Sequence, residues 1–197
     1  MYLYRRSTPG GREKLVEERV ERRFPPHSPP HTALLERTYM ITAACYEHRA
    51  LIHTEARRFE FADKLKRSCS ASGSRVEAWV VLPNHYHLLV ETPDLSAFGR
   101  TIRHVHGSTS HQWNLQDDQP GRKCWFRFSD RVIRSDAHYF AALNYIHANP
   151  VKHLYVESGL GWSASSIHEF ESELGVDMLR DLWTKYPVGT MGSGWDD

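Results

Sequence analysis

The sequence predicts an α+β protein in which one antiparallel sheet packs against helices. Short segments rich in β-forming residues alternate with longer segments of helical periodicity, in the order β-α-β-β-α-β. Two of the β segments are separated only by a tight turn at Pro83-Asn84, which favours an antiparallel hairpin. One more helical segment follows the last strand. This order is that of a ferredoxin-like sheet with an appended helix.

The first half of the predicted domain contains three strands and one helix. RTYMITAACYEHR predicts a strand over about residues 38–47, and the apolar stripe of 51–70 predicts a helix. RVEAWVVLP and HYHLLVET predict the two strands of the hairpin.

The second half of the predicted domain contains a helix, a short strand and the appended helix. A helix is predicted from about Leu95, and CWFRFSDRVIRS contains the fourth strand. The last helix begins near Ser135-Asp136, which provide good N-cap chemistry. It is predicted to end by Asn149, because Pro150 disfavours helical backbone at the residue before it.

Length and composition indicate one domain with extensions. The 197 residues fit a single domain with some additional chain, and 40% hydrophobic content is enough for a packed core. We divide the chain into a charged helical arm with a proline-rich linker (1–31), the main domain (32–170) and an acidic tail (171–197).

Several protein classes are disfavoured. No apolar stretch approaches the roughly 20 residues of a membrane span, and the N-terminus lacks the apolar region of a secretory signal. The three cysteines lack metal-ligand spacing, which favours reduced structural thiols in a cytoplasmic protein.

Charge is unevenly distributed although the net charge is only +1. Residues 99–134 are basic and interleaved with histidines and aromatics, whereas the chain after 155 is acidic. The basic segment is either a polyanion-binding surface or an ordinary solvated face. The candidate phosphate contacts, each with a surface salt bridge as the alternative, are Arg100, Arg103, Arg131 and Arg134.

A His-x-His pair lies in the second strand of the hairpin. Because successive strand residues point to opposite faces, His85 and His87 share one face and Tyr86 lies on the other, beneath helices. We expect the histidine face to be open, with two neutral imidazoles that form a platform for one divalent metal. Two ordinary surface histidines are the alternative.

The last helix carries a tyrosine and an amide on one face. Tyr139, Leu143 and Ile146 follow helical spacing and predict the core stripe. Tyr145 and Asn149 are four residues apart, so they project together from the other, polar side. An ordinary interfacial tyrosine is the alternative.

Together these motifs resemble the HUH single-strand endonucleases, and specifically the REP-associated tyrosine transposases, relatives of the single-tyrosine transposases of small insertion sequences. The resemblance covers about residues 37–167 and rests on LPNHYH, on YIHANPVKH and on GWSASS after them. YRRSTPGG near the N-terminus is similar to the opening of the family, but a helix and a proline linker separate it here from the first strand.

The resemblance implies an HUH-type fold in which the appended helix is catalytic. It implies Mg²⁺ or Mn²⁺ bound by His85, His87 and Asn149, and Tyr145 as the nucleophile that forms a 5′-phosphotyrosine link. His147 and His153 remain competing metal or acid/base candidates. No acidic residue lies near Tyr145 in sequence, so no general base is identified.

The implied protein is a prokaryotic, nucleoid-associated transposase that cleaves and rejoins single-stranded DNA carrying hairpins such as REP-like elements. It is expected to act as a monomer or homodimer, without a membrane. A domesticated member that binds hairpins without turnover is the alternative function. A hydrolytic metalloenzyme would need a carboxylate ligand and would leave Tyr145 unexplained.

Overall fold

A computed structural model describes residues 38–189, and the predicted N-terminal arm and linker lie outside this range. Its sheet contains β1 (Thr38–Ala44), β2 (Arg75–Val81), β3 (His85–Glu91) and β4 (Ser129–Val132). Its α-helices are α1 (Glu55–Ala71), α2 (Leu95–Gln116), α3 (Asp136–Lys152), α4 (Ile167–Leu174) and α5 (Val176–Lys185).

The four strands form one antiparallel sheet in the order β2-β3-β1-β4. The first six elements run β-α-β-β-α-β, so the predicted α+β class and ferredoxin-like order are confirmed. β3 is an inner strand with a ladder on each side, which holds the register of its His-x-His pair firmly.

Each face of the sheet is covered by helices. Tyr86, Leu88 and Val90 face a core shared with α1 and α2. Leu89 faces a second core that includes residues of α3, α4 and α5. The expectation of an open histidine face is therefore wrong. That face also carries apolar residues, Met40, Ala78, Val80 and Leu89, whose burial requires a covering layer.

The segment GWSASS closes the outer edge of β2. Val81 N donates to Ala164 O at 3.0 Å, and Ser166 N donates to Trp79 O at 2.9 Å. Because an unpaired strand edge invites association with other strands, this pairing protects the sheet. It also anchors the chain that leads into α4.

The predicted start of α3 is confirmed, and its predicted end is wrong. Ser135 is the N-cap, and its side chain accepts a hydrogen bond from His138 N at 3.0 Å. The helix continues through Pro150 to Lys152. Pro150 lies in the last turn, where its missing N–H removes one helical hydrogen bond, and its ring is buried. Packing outweighs this local loss, and the extra turn brings Lys152 into the helix.

Residues 171–189, assigned above to an acidic tail, are largely helical and pack on α3. The rings of Phe140 and Tyr186 stack with centroids 4.7 Å apart. Asn144 Nδ2 donates to Leu182 O at 2.9 Å and to Tyr186 O at 2.7 Å. These contacts hold α3 against the sheet from its outer side.

The three cysteines, Cys45, Cys69 and Cys124, are buried and form no disulfide. Burial raises the pKa of the Cys45 and Cys69 thiols to about 12, so both stay protonated at neutral pH. Across residues 38–189, none of the helices combines the length and apolar character needed to cross a membrane.

Glu77 is a buried carboxyl at a bulge between β2 and β3. Tyr139 Oη donates to Glu77 Oε2 at 3.4 Å, and an Arg75 guanidinium nitrogen lies 2.5 Å from Oε1. Burial raises the pKa of Glu77 to about 7, although the charge of Arg75 opposes the shift.

We predict that Glu77→Gln changes the pH dependence of stability. Because the folded pKa of Glu77 exceeds its unfolded value, the native protein binds more protons, and wild-type stability loses this contribution as pH rises from about 4.5 to 7. The variant should gain roughly 2–3 kcal/mol relative to wild type across that window. Urea unfolding at pH 4.5 and pH 8 measures the difference. A difference that does not change with pH would contradict the assignment.

Candidate active site

The two histidines of β3 lie beneath α3. His85 is 3% exposed and His87 is 0% exposed, and their ring centroids are 5.1 Å apart. Buried imidazoles are stable when their nitrogens have polar partners. The structure therefore places the pair in the interior, between sheet and helix.

Hydrogen bonds from the sheet side orient both rings. Thr42 Oγ1 lies 2.8 Å from His87 Nδ1, and Thr42 is the residue paired with His87 across the ladder of β1 and β3. Asn84 Oδ1 accepts from His85 Nδ1 at 2.7 Å. Since each Nδ1 is held in this way, the Nε2 side of each ring is directed away from its anchor.

Asn149 meets His85 from α3. Its Oδ1 lies 3.1 Å from His85 Nε2, and Asn149 is 0% exposed. With its proton on Nδ1, the imidazole directs a lone pair from Nε2 towards Oδ1, which is also a lone-pair donor. The donor types suit a divalent cation, and the 3.1 Å separation is also that of an ordinary hydrogen bond between an amide and an imidazole nitrogen.

Tyr145 lies one turn before Asn149 on the same face of α3. It is 1% exposed, and its ring centroid is 5.2 Å from that of His87. Tyr145 and Asn149 therefore share a face, as expected, but this face is buried and is not the polar side of the helix. The sheet covers this face and α5 packs elsewhere on α3, so the helix is buried on more than one side.

Lys152 is a neighbour of Tyr145 that the sequence analysis missed. Its Nζ donates to Tyr145 Oη at 3.3 Å and lies 5.2 Å from the centroid of the phenol ring. The two residues are seven apart, or about two helical turns. They share a face only because α3 continues through Pro150. The i, i+7 spacing was visible in the sequence, but the predicted helix end concealed it.

The two competing histidines have different positions. His153 is half-buried, and its ring centroid is 4.8 Å from that of His85. His147 lies on another face of α3, with Nε2 3.0 Å from Ser166 Oγ and its ring 5.0 Å from that of Phe170. Burial lowers the pKa of His147 to about 3, so it is a neutral core residue.

The four candidate arginines separate into two groups. Arg131 and Arg134 are exposed, on β4 and immediately before α3. Arg131 pairs with Met40 across the ladder, which places its side chain on the sheet face of the histidines. Arg100 and Arg103 are exposed on α2, which covers the opposite face.

Two tryptophans in the basic segment, Trp113 and Trp125, belong to the core. Trp113 is 2% exposed and Trp125 is 7% exposed. Trp125 stacks on His106 at 4.3 Å, and its indole nitrogen donates to Thr109 Oγ1 at 3.2 Å. Their contacts are those of packing residues.

No group of three His, Cys, Asp or Glu side chains within residues 38–189 has the geometry to hold a metal ion. A metal between the helix and the sheet therefore depends on the Asn149 amide as its third protein ligand.

A ferredoxin-like sheet whose His-x-His strand lies under a tyrosine helix defines the HUH class of proteins. Comparison with known proteins narrows the class. A REP-associated tyrosine transposase of Escherichia coli is 31% identical over 123 residues, which are 61% of this chain and 65% of that protein. A Haemophilus influenzae protein assigned to the same family is 32% identical over 139 residues, 65% of this chain and 77% of the relative. The chain belongs to the REP-associated tyrosine transposase family.

A solved structure agrees with this placement. A REP-associated tyrosine transposase bound to a REP hairpin matches with a TM-score of 0.54 and 25% identity, covering 78% of this chain and 84% of the other. No family model matches the chain. The match to the Escherichia coli relative spans 65% of that protein, slightly less than two thirds of its length.

We predict that alanine substitution of His147, in α3, and of His153, which caps the C-terminus of α3, changes stability by different amounts. His147→Ala removes a buried ring with its hydrogen bond to Ser166 and should lower the free energy of unfolding by about 2–4 kcal/mol. His153→Ala alters a half-buried side chain and should lower it by less than about 1 kcal/mol. Urea denaturation measures both values, and the opposite order would contradict the placement of the rings.

Proposed function

We propose that this protein is a metal-dependent single-stranded DNA endonuclease and strand transferase that uses Tyr145 as its nucleophile. The observation that carries the proposal is the convergence of the Tyr145 phenol with His85, His87 and Asn149 under one helix. Family membership supports hairpin DNA as the substrate, because a solved relative is bound to a REP hairpin.

The metal site would consist of His85 Nε2, His87 Nε2 and Asn149 Oδ1. When bound there, Mg²⁺ or Mn²⁺ would polarise the scissile phosphate and offset its developing negative charge. All three donors are neutral, and imidazole is softer than Mg²⁺ prefers, so affinity should be modest and Mn²⁺ should bind more tightly. Thr42 and Asn84 support the site by holding the far nitrogens of the rings.

Tyr145 would attack the phosphorus in line with the leaving 3′ oxygen. The bond from Tyr145 Oη to phosphorus forms as the bond from phosphorus to the 3′ oxygen breaks. The phenolic proton is released to solvent, and the 3′ oxygen takes up a proton from solvent. The products are a 5′-phosphotyrosine link and a free 3′-OH. Because the link is a phosphodiester like the bond that was broken, rejoining needs no ATP.

Lys152 supports the nucleophile electrostatically. A phenol with its unperturbed pKa of about 10 is a weak nucleophile at neutral pH. The ammonium group of Lys152, which donates to Tyr145 Oη, stabilises the oxygen as negative charge develops on it. In this role Lys152 keeps its own proton throughout the reaction. The proposal therefore includes no general base among the described residues.

The exposed arginines provide candidate contacts for the DNA backbone. Arg131 and Arg134 lie at the entrance to α3 and suit phosphates near the cleaved position. Arg100 and Arg103, on the opposite side of the sheet, suit phosphates of a longer hairpin stem that passes α2.

One observation favours the alternative, a domesticated hairpin-binding protein without turnover. Tyr145 is 1% exposed, and a nucleophile must reach its phosphate. Catalysis therefore requires the groups that cover the phenol to shift when DNA binds, whereas binding alone makes no such demand. Formation of a covalent adduct distinguishes the two functions.

The test of the proposed function is adduct formation by wild type and by Tyr145→Phe. The protein, Mn²⁺ and labelled hairpins from its own genomic flanks should give a product that resists SDS. Tyr145→Phe removes one oxygen and keeps the ring against His87, so it should bind the hairpin and form no adduct. Tyr139→Phe is the matched control and should retain most activity. A hairpin-bound wild-type protein that forms no adduct would support the alternative.

We predict a graded loss of metal binding at the three proposed ligands. Calorimetric titration with Mn²⁺ should show no binding by His85→Ala or His87→Ala, because each removes an imidazole donor. Asn149→Ala should weaken binding less, since an amide is the poorest of the three ligands. His147→Ala should bind Mn²⁺ as wild type does, because its ring faces Ser166. Undiminished binding by the double histidine variant would eliminate the site.

We predict that Lys152→Met lowers the rate of adduct formation more than it lowers the affinity for DNA. The single-turnover rate at saturating hairpin should fall on the order of 10²-fold, and Lys152→Arg should restore much of it because the charge is retained. Lys185→Met is a matched control, because Lys185 is the last residue of α5 and its Nζ lies 5.4 Å from the ring centroid of Tyr186. A loss confined to DNA affinity would make Lys152 a phosphate contact only.

A further inference from the structure

The C-terminus of α3 ends in a turn that normally contains glycine. Leu154 N donates to Val151 O at 2.9 Å, and Tyr155 N donates to Pro150 O at 3.0 Å. This is the Schellman pattern, whose central residue adopts a left-handed backbone conformation. Leu154 occupies that position with φ 58°. A leucine there is sterically disfavoured, because its Cβ crowds the backbone.

The side chain of Leu154 gains nothing from packing in return. It is 91% exposed, and the next residue, Tyr155, is 44% exposed. Since apolar side chains are normally buried and strained backbone normally has a compensating contact, the fold alone does not account for the pair. A ligand that covers Leu154 and Tyr155 would account for both features.

A row of rings connects Tyr155 to the candidate active site. The centroid of the His153 ring is 4.8 Å from that of His85 and 6.4 Å from that of Tyr155. On the other side, the Tyr155 ring lies 5.3 Å from Trp162. The Arg58 guanidinium lies 4.7 Å from the centroid of Trp162. Aromatic faces beside a cation are the features that bind unpaired bases and their phosphates.

We propose that Leu154 and Tyr155 form a platform for unpaired DNA bases next to the cleaved phosphate. Tyr155 stacks on one base, Leu154 contacts the apolar face of its neighbour, and the Arg58 and Lys152 cations attract the connecting phosphates. The platform rests on the proposed function, because it assumes that a single strand reaches the site beneath α3. Leu154 lies two residues after Lys152, whose Nζ donates to the proposed nucleophile, so the platform adjoins the proposed active site.

The test compares two fluorescent hairpins with identical phosphates. Both carry single-stranded extensions of several nucleotides at each end, and in one of them every extension nucleotide is abasic. Binding is measured without divalent metal, so that the result does not depend on cleavage. Wild type should bind the hairpin with bases roughly 10-fold more tightly, because stacking requires a base. Equal affinity of wild type for the two hairpins would overturn the platform.

Two variants of Tyr155 test stacking, because one removes the aromatic ring and the other keeps it. Tyr155→Leu should lose most of the preference for bases, whereas Tyr155→Phe keeps the aromatic face and should retain it. Unchanged preference in Tyr155→Leu would overturn the role of the ring.

Leu154→Gly tests whether backbone strain is maintained for DNA binding. Relief of the left-handed leucine should raise Tm by about 2 °C, and loss of the side chain should reduce the preference for bases. Asp118 is a matched control, because it ends α2 in the same turn with φ 51°, and Gln119 N donates to Asn114 O at 2.9 Å. Asp118→Gly should leave the preference unchanged. Full preference in Leu154→Gly would overturn the role of Leu154.

The outcome also separates the platform from the catalytic proposal. If wild type prefers the hairpin with bases and forms no covalent adduct, the proposed platform stands and the proposed nuclease activity is refuted. If wild type forms the adduct at Tyr145 and shows no preference for bases, the proposed nuclease activity stands and the proposed platform is refuted.

Discussion

The contact between α3 and the histidine face of β3 is the constraint on which the rest of the structure depends. It joins Asn149 Oδ1 to His85 Nε2 at 3.1 Å and sets the Tyr145 ring against His87. Two buried histidines in an inner strand are tolerated because the sheet holds one nitrogen of each ring and α3 supplies polar groups to the other side. The helix is held in turn by Asn144, which donates to two backbone carbonyls at the C-terminal end of α5.

This contact also explains why the Tyr145 phenol is shielded from solvent. The sheet and α3 bury the phenol, whereas Lys152, whose Nζ donates to Tyr145 Oη, is exposed at the end of the helix, so solvent screens part of its charge. The same burial leaves Tyr145 1% exposed. Lys152 and Leu154, which follow Asn149, are exposed at the C-terminal end of α3.

Much of the fold and the composition of the site could be predicted from sequence, because both depend on local periodicity. Strand alternation placed His85 and His87 on one face, and helical spacing placed Tyr145 with Asn149. Exposure could not be predicted in this way, because it depends on which element covers a face. In the sequence, residues 171–189 were recognised only as an acidic segment. In the structure, their helices complete the core around α3. Lys152 was missed because local proline chemistry predicted the end of a helix that tertiary packing extends.

The central claim is that the Tyr145 hydroxyl oxygen forms the covalent bond to DNA. Peptide mass spectrometry of the adduct tests this claim most directly. Trypsin should release residues 135–152 as one peptide, and this peptide contains both Tyr139 and Tyr145. Fragmentation distinguishes the two, since five residues lie between their fragment ions. The account predicts a nucleotide attached to Tyr145 alone. A nucleotide on Tyr139, on Tyr155 or on any residue outside this peptide would contradict it.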